Sequence, residues 1–130
     1  MKKLLKAEMW DKMQYLFRNY YDRMMHCVLY YDGPVDEDAL RRALAFQIDS
    51  VPVLHARYHN NFIRPYWTVE KWSVDDAFSV TDTDDLEKSV MAFAEQRIPI
   101  TSNVQIRVGL FRCGTKRALA VVVNHMCFDG

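Results

Sequence analysis

Apolar side chains recur along this chain with two periods, and the switches between them mark its elements. Residues 7–20 place Met9, Met13, Leu16, Phe17 and Tyr20 at the spacing of one helix face, which predicts an amphipathic helix with that stripe packed inward. Residues 24–31 are mostly β-branched, aromatic or sulfur-bearing and run into Asp32-Gly33-Pro34, a strand ended by a turn, with His26 on it as a structural residue. A second helix follows, capped by Asp36, with Leu40, Ala43, Leu44 and Ile48 inward. Glu37 with Arg41 and Asp38 with Arg42 stand four apart and read as its wet face. Pro52 closes that helix, because the residue before a proline is pushed towards extended geometry.

The second half of the chain alternates more often. Residues 55–59 and 62–70 flank Asn60-Asn61, which predicts a hairpin with a two-residue turn and Pro65 on an edge or at a bulge. Residues 74–80 form a further short strand. A third helix spans residues 85–97, with Asp84 and Glu87 at capping-box spacing, Leu86, Val90, Phe93 and Ala94 inside, and Pro99 as its stop. Residues 103–112 put Val104, Ile106, Val108 and Leu110 on one strand face. A turn around Gly114 leads back into the run 118–123, Ala-Leu-Ala-Val-Val-Val. So apolar a run reads as a central strand buried on both faces and antiparallel to its predecessor. The order helix, strand, helix, hairpin, helix, hairpin predicts an α+β fold with helices covering one face of a mostly antiparallel, mixed sheet.

Composition changes this picture little. The 130 residues are 50% hydrophobic, enough for one domain with a modest core. Seventeen basic and 17 acidic residues cancel, which argues against nucleic acid or an anionic membrane surface as partner. The apolar runs are too short to span a bilayer, and Lys6 and Glu8 interrupt the first before a signal-peptide core can form. Cys27, Cys113 and Cys127 are odd in number and lack metal-ligand spacing, which suits reduced thiols in the cytoplasm.

Chemistry gathers at the end of the last strand, in Asn124-His125-Met126-Cys127-Phe128-Asp129-Gly130. A His and an Asp four positions apart, where a buried strand opens into a loop, suit a catalytic site; a capped strand end with a satisfied core histidine is the alternative. A Cys127–His125 dyad has nothing marking an activated thiolate. Metal binding by His125, Cys127 and Asp129 lacks a fourth ligand, and His55 with His59 is explained more simply as surface or core histidines. There is no glycine-rich phosphate loop.

The same residues carry an HxxxDG core, His125 to Gly130, which resembles the HHxxxDG signature of the chloramphenicol acetyltransferase-like superfamily, with Asn124 in place of the first His. Peptide-synthetase condensation domains and alcohol acetyltransferases belong to it. Upstream pieces agree in order: Tyr31-Asp32-Gly33-Pro34-Val35-Asp36, then Val51-Pro52-Val53-Leu54-His55-Ala56-Arg57-Tyr58, then residues 98–101 and 104–112. The resemblance implies that residues 1–130 are the amino-terminal subdomain of such a domain, one half of a two-layer sandwich, with the carboxy-terminal subdomain absent. It implies an acyltransferase with His125 as general base, moving an acyl group from coenzyme A or a carrier protein's phosphopantetheine to a small hydroxyl or amine acceptor. No cofactor is held tightly. Asn124, Asp129 and Gly130 support the loop. His55 stands where condensation domains carry an Arg that pairs with the motif Asp. Arg57, two residues on and on the same face by period two, is the expected substitute. Alone, the subdomain is expected to be inactive and to self-associate. The rival reading is a non-catalytic association module with a degenerate motif.

Overall fold

The computed structural model describes residues 3–20 and 24–127. Its main sheet is built around β7 (Lys116–Asn124), which the run at 118–123 makes apolar on both faces. Antiparallel to it lie β2 (Met24–Asp32) on one side and β6 (Ile106–Cys113) on the other. Gly114, at φ 60°, makes the tight connection from β6 to β7. Beyond β6 lies β5 (Phe78–Asp82), parallel to it, so the sheet order is β2-β7-β6-β5.

The fold class is α+β with a mixed, mostly antiparallel main sheet. The helices, however, do not share one of its faces. Leu44 and Ile48 of α2 (Glu37–Ser50) pack on Ile106, Val108 and Leu110. Val90 of α3 (Leu86–Glu95) packs on Phe111, Ala118 and Ala120, whose side chains point the opposite way. The small residues Gly109, Ala118 and Ala120 let α3 come close, and Phe93 meets Phe111 edge to face at 5.4 Å.

A second, smaller sheet has the order β1-β4-β3, all antiparallel, from β1 (Leu4–Lys6), β3 (Ala56–His59) and β4 (Tyr66–Val69). The three-residue strand β1 is not predicted from the sequence. The β3–β4 connection takes residues 60–65 rather than a two-residue turn at Asn60-Asn61; no described non-glycine residue has positive φ. Instead the Asn61 side chain accepts from the Ile63 and Arg64 amides, and Pro65 falls in the loop.

Local differences from expectation have identifiable causes. Residues 74–76 form a 3₁₀ turn, so the strand expected at 74–80 starts at Phe78. Asp85, one residue later than expected, caps α3 by accepting from the Lys88 amide. Ala43 of α2 is exposed. Glu37 and Arg41 are not a wet pair: Arg112 Nη1 reaches Glu37 at 2.7 Å and Arg41 reaches Asp75 at 2.6 Å, tying α2 to the rest of the chain. The largest difference is α1 (Met9–Leu16), which is shorter than predicted and turned over. Met9, Met13, Leu16, Phe17 and Tyr20 are exposed, whereas Asp11 and Gln14 are buried. No helix among the described residues is long and apolar enough to cross a membrane.

Candidate active site

The candidate site begins where β7 runs out. Asn124 is its last residue, only 2% exposed, and the chain then tightens into a 3₁₀ turn, His125–Cys127. A buried amide must find partners, and Asn124 finds them on both sides. Its Nδ2 donates to Gln105 Oε1 at 2.9 Å, and its Oδ1 accepts from the Met126 amide at 3.1 Å. Its backbone amide also donates to the Gln105 carbonyl at 2.9 Å. Gln105 is fully buried; its Nε2 donates to the carbonyls of Ala56 (3.0 Å) and Ser102 (3.1 Å). Met126 is buried with Ala7, Ala56, Tyr58 and Trp67. The turn is therefore pinned to the small sheet by side chains and backbone alike.

His125 is half-buried within that turn. Its Nδ1 lies 3.5 Å from Gln14 Nε2, at the long limit of a hydrogen bond. Gln14 is delivered by the inward face of α1, next to Asp11, which accepts from Trp67 Nε1 at 3.3 Å and from the Glu8 amide at 2.9 Å. A cavity of about 210 Å³ borders the turn, lined by Gln14, Met24, Ile98, Pro99, Asn124 and Met126 among others, with the two neighbours of His125 in its wall but not His125 itself. Larger recesses of about 470 and 500 Å³ lie elsewhere, at the Gly114 end of the sheet and between Met9 and Ile63. Neither is lined by any residue of the motif, so size does not select the site here.

The other expected residues are placed as follows. Cys127 donates to the Val53 carbonyl at 3.8 Å, and burial, with a smaller push from Asp11, drives its thiol well above the ordinary range. A thiol held so strongly protonated is no nucleophile. Arg57 Nη2 donates to Asn103 Oδ1 at 2.5 Å, and its Nε is buried without a hydrogen-bond partner among the described residues. Asp129 and Gly130 lie outside the described residues, and with them the expected Arg57–Asp129 pair. His55 is not on β3 but in the 3₁₀ turn Pro52–His55, so it shares no strand face with Arg57. Its Nδ1 contacts the Glu70 carbonyl at 3.0 Å. His59 bonds Thr68 through Nε2 at 2.8 Å and stacks on Tyr66. Among the described residues no three His, Cys, Asp or Glu gather as a metal site. Gln14 and Gln105 were not expected at the site; each stands at a polar position of its period and looks solvent-facing in the sequence.

No protein-family model and no curated sequence matches the chain. Solved structures do. The tallysomycin biosynthesis protein TlmII superposes with a TM-score of 0.74 at 19% identity, over 95% of this chain and 33% of its own. The first condensation domain of the calcium-dependent antibiotic synthetase, in complex with a substrate analogue, gives 0.72 at 18% identity, over 95% and 33%. The chain carries part of a condensation-domain fold. The starter condensation domain of rhizomide synthetase RzmA, in complex with C8-CoA, gives 0.74 at 13% identity, over 95% and 31%. The chain spans about a third of the length of these structures. Condensation domains belong to the chloramphenicol acetyltransferase-like superfamily, so the motif resemblance and the condensation-domain fold agree.

Proposed function

We propose that this chain is the motif-bearing subdomain of an acyltransferase in which His125 is the general base. The observation that carries the reading is a half-buried imidazole on a turn pinned by buried amides, at the end of the central strand, between two residues, Asn124 and Met126, that line a cavity. An acyl thioester, on coenzyme A or on the phosphopantetheine of a carrier protein, meets a small hydroxyl or amine acceptor. The imidazole takes the acceptor's proton as its oxygen or nitrogen attacks the carbonyl carbon. The new C–O or C–N bond forms, the C–S bond breaks, and the imidazolium returns the proton to the departing sulfur. Base catalysis of this kind is worth roughly 10²–10⁴-fold in rate, and holding donor and acceptor together supplies much of the remainder.

Asn124 holds the turn, Asp129 pairs with Arg57 to fix the following loop, and Gly130 permits its backbone path. Breaking such a buried pair from one side costs roughly 3–5 kcal/mol. No tightly held cofactor or metal enters the reaction. A second subdomain of similar fold completes the channel, and a cytoplasmic setting suits the three free thiols. The test is His125→Ala in the complete acyltransferase, with the fold verified by circular dichroism. Acyl transfer should fall by roughly 10²–10⁴-fold; a rate near wild type removes His125 from the mechanism.

A second reading, a module that acts by association alone, draws on the exposed apolar face of α1. It predicts that His125→Ala leaves function intact while charged substitutions on α1 abolish it.

A further inference from the structure

We propose that Gln105 is a positioning residue for His125, acting through Asn124. This rests on the reading of His125 as the base, and it concerns a side chain that neither the motif nor its upstream matches single out. Gln105 is fully buried, and its orientation is forced. The Nε2 end faces two carbonyls, those of Ala56 and Ser102, where only a donor is satisfied. The Oε1 end therefore faces Asn124, which must answer with its Nδ2. That choice leaves Asn124 Oδ1 on the far side, where it accepts from the Met126 amide. A chain of obligatory choices thus runs from two backbone carbonyls to the first amide after His125. The backbones repeat the link, Asn124 donating to the Gln105 carbonyl and Gln105 to that of Leu54. His125 is bracketed by the two residues this ladder fixes, and its ring is delivered to Gln14.

Loss of Gln105 strands Asn124 Nδ2 and two buried carbonyls, and Asn124 then turns to serve them and releases Met126.

The experiment is NMR on the 130-residue chain, reading the cross-relaxation between the His125 ring protons and the Gln14 side-chain amide. Gln105→Met keeps length and volume but removes the bonds. The cross-peak should be lost, while that between Phe93 and Phe111, on the other face of the sheet, persists. The double variant Gln105→Met/Asn124→Leu removes the stranded Asn124 Nδ2 as well, so part of the stability recovers, yet Met126 still lacks its acceptor and the His125–Gln14 peak should stay absent. A merely structural role predicts the opposite, the peak returning with stability. Gln105→Met with an undiminished peak overturns the proposal, as does its return in the double variant. Should Gln105→Met fail to fold, the double variant alone decides. In the complete acyltransferase the same substitution should lower kcat about tenfold with KM unchanged, the signature of misplacement rather than lost binding. If the peak is lost on Gln105→Met but His125→Ala leaves acyl transfer intact, the positioning stands and the catalytic reading alone fails.

Discussion

Tyr58 buries a phenol, 5% exposed, whose hydroxyl has no hydrogen-bond partner among the described residues. Burial, with smaller pushes from Asp11 and Tyr15, raises its pKa from 10.0 to about 12. A folded-state value above the unfolded one gives stability that is fully present below pH 10 and lost as pH rises from 10 through 12. The loss is on the order of 1 kcal/mol by pH 11 and on the order of 3 kcal/mol above pH 12. Tyr58→Phe should match or exceed wild-type stability at pH 8, because it deletes an unpaired polar group, and should exceed it clearly at pH 11. Urea midpoints at the two pH values measure this; parallel loss in both proteins would refute it. At this scale the sequence shows the proposed base and hides its supports. His125 and Asn124 stand out where an apolar run stops, but Gln14 and Gln105 occupy positions where any helix or strand turns polar residues to water. Only the tertiary packing of α1 and of the 102–105 bend reveals them as interior.

At the scale of elements, legibility followed length and period. The strands β6 and β7 and the helices α2 and α3 could be read because each carries an apolar pattern long enough to show its period. β1 could not, since Leu4-Leu5-Lys6 is too short for any period. The parallel pairing of β5 depends on a partner 30 residues away, which local pattern cannot specify. Packing between elements is close at Gly109. A Cβ there would stand 2.8 Å from Phe111 Cε2 and 3.0 Å from Phe93 Cε2, both on rings already in mutual contact. Gly→Ala inside a strand is ordinarily worth about 0.5–1 kcal/mol in favour of folding, whereas overpacking costs about 1–3 kcal/mol. Gly109→Ala should therefore destabilise. Phe93→Leu in the same chain should recover part of the loss, with a coupling of about 1 kcal/mol in urea titrations. Strictly additive effects would mean that α3 does not press on β6 at this point.

For the whole molecule, the orientation of α1 is the decisive feature. An amphipathic helix on a complete domain turns its apolar stripe to the core. Here Asp11 is drawn inward by Trp67 and Gln14 by His125, so the polar side is spent on the interior and the stripe is left outside. The sequence displays that stripe plainly but carries no sign of which way it faces. Met9, Trp10, Leu16 and Tyr20 are each more than half exposed. With about 150–250 Å² for a fully covered aromatic, they present on the order of 500 Å² of apolar surface. Phe62 and Ile63, 94% and 81% exposed, extend it across the recess between Met9 and Ile63. Patches of this size on a soluble protein mark an interface, and in the proposed acyltransferase the second subdomain covers it. Without that cover the chain should associate with itself through α1. Sedimentation of the 130-residue chain should show weight-average mass rising with concentration, and Met9→Glu with Leu16→Glu should hold it at the monomer. Neither substitution touches the Asn124–Gln105 ladder, so the His125–Gln14 contact should survive in the monomeric variant. A wild-type chain that stays monomeric at every concentration would mean that this face is no interface, and the association reading would fall with it.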